Sequence, residues 1–185
     1  MKTVSEVAAQ LAPLTGHTES AIARQMRGWI QTGLLNPTER EARGTTGQIE
    51  AALFDVSGVC ATRLTLALSA VTQLKNLDNL IPKILADSKS QRVKLHVDGT
   101  QEKLSFEAAM EGTRLQPNDD WILEVIILRD LIEHRIDTRV QWVRNGVRDF
   151  GNLDPLVPDT FILGGEIEAV VSIPFSRMIR PLLES

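Results

Sequence analysis

The sequence predicts an α+β chain in three parts: two short helices with an extended hairpin, a long connecting helix, and a small C-terminal α+β lobe. Three observations predict it. Apolar residues recur at three- and four-residue steps through the first third, leucines keep that rhythm from Leu64 to Leu77, and alternation with a β-branched run replaces it after residue 91. The expected boundaries are 1–56, 57–90 and 91–185.

The 185 residues, 43% of them hydrophobic, suffice for one compact domain or two small ones. No stretch of about eighteen apolar residues occurs, and MKTVSEVAAQ lacks the charged-then-apolar pattern of a secretory leader. A soluble cytoplasmic protein with no membrane partner is therefore expected. Cys60 is the only cysteine, which excludes an intrachain disulfide and a thiolate metal cluster within one chain. With a net charge of −4, a polyanion has to be held by a local patch, not by the whole surface.

In chain order, Thr3 or Ser5 can cap a first helix whose apolar face is Val4, Val7, Ala8 and Leu11, and Pro13 is expected to end it. LAPLTGHTES supplies a tight connection, with Gly16 suited to a left-handed conformation and Thr18 or Ser20 to the next cap. In the second helix Ala21, Ile22, Met26, Trp29 and Ile30 form a packing face. Glu19, Arg24, Gln25, Arg27 and Gly28 fall largely on other faces. A major groove admits one such helix, and guanidinium forks bind phosphate oxygens or the paired acceptors of a guanine, which makes Arg24 and Arg27 candidate readers. The competing reading is a solvated face on which both arginines pair with Glu19 or neighbouring carboxylates.

TGLLNPTEREARGTTGQIEAALFD reads as a helix end, a short extended piece, a flexible loop and a second extended piece at Ala51 to Phe54: a wing. MRGWIQTGLLNP followed by ALFDVSGVCATRLTLAL resembles the winged helix-turn-helix of the MerR-type transcription regulators. Arg27, Trp29, Gly33, Leu34, Leu35 and Pro37 match that pattern, as do Leu53, Phe54 and Asp55 at the wing exit. The resemblance covers roughly residues 3 to 75. It departs in a longer turn-to-arginine spacing, in Gly28 where an aromatic is frequent, and in a longer wing without Gly-Tyr-Arg. Carried over by position, it implies contacts to double-stranded DNA from Thr18, Ser20, Arg24, Gln25 and Arg27 in the helix. From the wing it implies Arg40, Arg43, Thr45, Thr46 and Gln48, mostly to phosphates, which position without specifying.

Ser57 can cap the long helix, where Leu64, Leu68, Val71, Leu74 and Leu77 recur and charge is scarce from Leu64 to Gln73. The resemblance implies that this helix pairs with its copy in a homodimer, placing two helices in successive major grooves. Packing of the same leucines within one chain is the other reading. Pro82 is expected to break or kink the helix near Leu80, and ADSKSQ, residues 86–91, reads as a linker.

In the lobe, Val93, Leu95 and Val97 alternate with polar residues and Asp98-Gly99 turns the chain toward EKLSFEA, a β-hairpin. WILEVIIL, from Trp121, reads as a buried strand, and LRDLIEHRID resumes helical spacing. Val140, Trp142 and Asn145-Gly146 suggest a strand and turn, and GEIEAVVSIPF one more strand before SRMIRPLLE. Gly164-Gly165 bends the chain ahead of that strand and lacks the Lys-Ser/Thr of a phosphate loop. Regulators of the resembled kind use this part to receive a signal or to dimerise. An effector of unknown identity would find only Trp121, Trp142, Phe106 and Glu124 as pocket candidates, each of which also reads as core.

No enzyme is expected. His17, His96 and His134 lie in a turn, on the polar side of a hairpin strand and in a charged helix, and no Gly-x-Ser-x-Gly elbow occurs. Asp119-Asp120, beside Pro117 and Asn118, reads as a turn and helix cap before it reads as a metal site. No cofactor is implied. The expectation is thus a dimeric, sequence-specific DNA-binding transcription regulator. The alternatives are a DNA-binding architectural, segregation, phage excision or packaging adaptor, and an enzyme or small-molecule binding module whose helix-turn-helix serves protein contacts.

Overall fold

A computed structural model describes residues 1–43, 49–71, 80–82, 84–85, 93–94, 101–102, 104–130, 135–148 and 165–184. They form a mixed α+β chain with antiparallel sheets. The chain divides into two compact units, Met1–Asp78 with Leu182–Ser185, and Asn79–Pro181.

The first unit opens with β1 (Lys2–Thr3) and α1 (Val4–Thr15). Thr3 is the cap: its hydroxyl accepts from the Glu6 N–H, and the Glu6 carboxylate accepts from the Thr3 N–H at 2.7 Å, closing a reciprocal box. Pro13 does not end this helix, contrary to expectation. It lies inside the last turn, and the stop is Gly16 at φ 71°, whose N–H donates to the Ala12 carbonyl. Thr18 caps α2 (Glu19–Thr32) by accepting from the Ala21 N–H, and Gly33 at φ 75° ends it. Val7, Ala8 and Leu11 of α1 are buried, as are Ile22, Ala23, Met26 and Trp29 of α2, while Ala21 and Ile30 are half-buried. Leu34 and Leu35 follow the stop into the interior.

Two further strands, β2 (Glu39–Arg43) and β3 (Ile49–Phe54), form the expected extended pieces. The sheet order is β1-β3-β2, with Thr3 opposite Leu53 and Arg40 opposite Ala52. Residues 44–48 between the strands, with Thr45, Thr46 and Gln48, lie outside the described residues.

Next comes α3 (Val56–Val71), and its cap is Asp55 instead of the expected Ser57. The Asp55 carboxylate accepts from the Gly58 N–H at 2.8 Å and the Asp55 carbonyl from the Val59 N–H, which leaves Ser57 inside the first turn. From Val59 to Leu68 every residue is buried except Arg63 and Ala67, which are half-buried, so burial runs around the helix and is not confined to one stripe. Thr62 and Thr65 are admitted because each hydroxyl donates to a carbonyl four residues back, at 2.8 Å. Burial, with Asp55 nearby, pushes the Cys60 thiol up from 9.0 to about 12. Arg63 donates to the Leu14 carbonyl and ties α3 to the end of α1.

Leu74 and Leu77, the 86–91 linker and Asp98-Gly99 lie outside the described residues. Pro82 is itself helical, flanked by buried Leu80, Ile81 and Ile84. The expected hairpin is present as β4 (Val93–Lys94) paired with β5 (Gln101–Glu102). The chain then enters α4 (Phe106–Leu115), a helix whose first three residues, Phe106 to Ala108, belong to the stretch EKLSFEA expected as strand; Ser105 caps it by accepting from the Ala108 N–H.

The main sheet has the order β8-β7-β6-β9, from β6 (Trp121–Asp130), β7 (Arg135–Arg144), β8 (Val147–Arg148) and β9 (Gly165–Ile173). Of LRDLIEHRID, residues 128–130 and 135–137 are strand and not helix, Arg129 pairing with Ile136 and Asp130 with Arg135, so that cross-strand bonding overrides their helical spacing; residues 131–134 lie outside the described residues. Asn145 and Gly146 both have positive φ, 50° and 79°, the type I′ geometry of an Asn-Gly hairpin. The Asp119 carboxylate accepts from Arg144 Nε at 2.8 Å and Asn145 Nδ2 at 2.9 Å; Asp119-Asp120 is thus the expected turn, but it leads into a strand and caps no helix. The chain closes with α5 (Phe175–Leu183). Phe106 and Trp142 each meet Phe175 edge-on in the core of the second unit, with Trp142 and Phe175 centroids 4.9 Å apart. No helix among the described residues is long and apolar enough to cross a membrane.

Candidate nucleic-acid interface

Because α2 buries Ile22, Met26 and Trp29, its opposite side faces outward with Ser20, Arg24, Arg27 and Gln31, all exposed. Their spacing of four, three and four residues aligns them in one stripe. Gln25 is exposed beside it, and Thr18 stands at its N-terminal end, its hydroxyl 3.2 Å from that of Ser20. Neither Arg24 nor Arg27 makes a hydrogen bond or ion pair among the described residues. The acid on this helix, Glu19, sits in the first turn, where it complements the helix dipole, and lies five residues before Arg24, out of ion-pair register. The pairing of both arginines with carboxylates, the competing reading of the sequence, is therefore not what the geometry holds. Gly28, between Arg24 and Gln31, has nothing within 4 Å of the place a Cβ would occupy.

Strand alternation decides the charge of the hairpin. Arg40 and its partner Ala52 share a face with the fully buried Phe54, whereas Glu39 and Glu41 belong to the opposite face. Five acidic side chains among residues 1–50 cancel five basic ones in number, and on β2 it is Arg40 alone that stands on the face opposite Glu39 and Glu41, Arg43 falling at a position in phase with the two acids. Arg43 stands opposite Ile49 at the strand end.

β1 brings the start of α1 against β3, and a cleft of about 360 Å³ opens there. Thr3, Val4 and Ser5 line it from α1, Arg27, Ile30 and Gln31 from α2, and Arg40, Ala51 and Ala52 from the hairpin. The structure thus brings Arg27 and Arg40 to one cavity and leaves Arg24 outside its lining. Compared with known proteins, the chain matches no family model, no curated protein and no solved structure.

Sequence reasoning missed Gln31 and Ser5. Gln31 was signalled by its position four residues after Arg27. Ser5 carried no local signal, since its place beside Arg27 depends on the pairing of β1 with β3. Of the residues expected to form a dimer seam, Leu64 and Leu68 are fully buried within the single chain, and Val71 is 49% exposed. In the second unit Glu124 is buried and accepts from Gln141 Nε2 at 2.6 Å; Trp121, Trp142 and Phe106 are core residues. Among the described residues no three His, Cys, Asp or Glu side chains group as a metal site requires.

Proposed function

We propose that residues 1–56 form a winged helix-turn-helix that binds double-stranded DNA, within a dimeric transcription regulator similar to the MerR type. In this reading α1 and α2 are the helix-turn-helix, α2 enters the major groove, and the β2–β3 hairpin is the wing on the flanking backbone. The observation that carries it is the stripe Ser20, Arg24, Arg27 and Gln31 on a helix whose other face is packed. A helix serving only as a solvated scaffold gains from ion pairs three or four residues apart, and α2 holds its guanidinium groups without them. Affinity would come from a few phosphate contacts and specificity from an arginine fork on a guanine edge.

Fluorescence anisotropy with the DNA upstream of the protein's own gene and with random duplex, from low to physiological salt, tests this. Tight binding to one sequence is expected, with Arg24→Ala losing about 1–3 kcal/mol and relaxing the base preference. Absence of binding at any salt overturns the reading and leaves the helix-turn-helix to protein contacts. The burial of Leu64 and Leu68 within one chain favours a second reading, an architectural, excision or packaging adaptor that needs no seam along α3. A spreading footprint that ignores sequence would support that one.

A further inference from the structure

We propose that the cleft between α1, α2 and the hairpin seats one backbone phosphodiester, so that Arg27 and Arg40 position DNA while Arg24 reads it. This rests on the DNA-binding reading above. The cleft draws two guanidinium groups from different elements, together with the Gln31 amide and the Ser5 hydroxyl, while the Thr3 hydroxyl at its edge already donates to the Glu6 carboxylate at 2.8 Å. Each guanidinium offers a planar fork of donors that matches phosphate oxygens two at a time.

What the lining lacks narrows the ligand. Among the described residues the cleft is lined by no carboxylate, which would repel an anion, and by no aromatic ring on which a base could stack. Its other walls are Val4, Ile30, Ala51 and Ala52, and Ala52, small and directly opposite Arg40, leaves the floor open there. At about 360 Å³ the space is at the small end of ligand cavities, which run from about 300 to 1,000 Å³. It suits a phosphate with its sugar. The start of α1 is already satisfied by the Thr3–Glu6 box, so attraction comes from the two arginines and not from the helix terminus. Arg24, outside the cleft on the same stripe, keeps its fork for base edges.

The test compares wild type, Arg27→Ala, Arg40→Ala and Arg27→Lys across a salt series on the specific and the random duplex. Arg27 and Arg40 are both exposed, so the variants fold, which circular dichroism checks. Arg27→Ala and Arg40→Ala are each expected to weaken both duplexes by the same factor and to reduce the log–log salt slope by about 1. Arg27→Lys should keep the slope and lose part of the affinity, because the charge remains without the fork. A changed preference between duplexes in Arg27→Ala, or an unchanged slope, overturns the assignment. Sodium pyrophosphate titrated into the full chain, followed by amide NMR, should shift Ser5 and Gln31 in wild type and not in the doubly substituted chain. Duplex binding without those shifts overturns the cleft and leaves the DNA reading standing. Shifts without duplex binding at any salt overturn DNA as the occupant and assign the site to a small phosphate ligand.

Discussion

Ser176 illustrates how single residues hold the second unit. Its side chain is fully buried; its oxygen accepts the Trp121 N–H at 2.8 Å and lies 3.0 Å from the Thr113 hydroxyl, which itself donates to the Ala109 carbonyl. The Ser176 proton therefore points at Thr113, and one hydroxyl joins α5, α4 and β6. Ser176→Ala would leave the Trp121 N–H buried without an acceptor, and a loss of about 1–3 kcal/mol is expected in urea unfolding. A loss below 0.5 kcal/mol would mean that another group takes over that N–H. The same neighbourhood explains why Trp121, Trp142 and Phe106, candidates for an effector pocket in the sequence, are structural: Gly112 is small because a Cβ there would stand 2.6 Å from the Trp121 indole nitrogen.

Among the elements, α2 carries an exception to its own logic. Gly28 sits in the middle of a helix with negative φ and open space around it, so it adds chain entropy without relieving any clash. Gly28→Ala is expected to raise stability by about 0.5–1 kcal/mol in a thermal melt, and an unchanged or lower midpoint would show that the position needs glycine for packing. The helices of the first unit were legible in the sequence because caps, apolar spacing and left-handed glycines are local signals, as with Thr18 and Gly33. The β6–β7 ladder was legible only in part, since residues 128–130 and 135–137 are helical in spacing and become strand by pairing with each other and, for 128–130, with distant β9. α4 was missed although Ser105, Glu107 and Arg114 mark its ends, because the preceding alternation was extended past its true stop at Glu102. Of the site, Arg24 and Arg27 were visible as helical spacing. The convergence of Arg27, Arg40 and Ser5 was not, because Thr3 and Leu53 meet across about fifty residues of chain.

For the molecule as a whole, α3 decides how far one copy stands alone. Leu68 is fully buried in the single chain, so Leu68→Ala is expected to cost about 2–5 kcal/mol, with the same drop in melting temperature at low and high protein concentration. A drop that shrinks as concentration rises would place Leu68 between two copies, since association then contributes to stability. The hairpin of the first unit holds a second whole-molecule property, its pairing register. Arg40 faces the cleft only because it stands opposite Ala52. A slip of one residue would exchange it for Glu39 or Glu41 and invert the sign that the groove presents to an approaching strand of nucleic acid. Polarity at this surface is accordingly a matter of phase along the strand: insertions or deletions of a single residue between Thr38 and Arg40 would reverse attraction into repulsion with almost no change in composition.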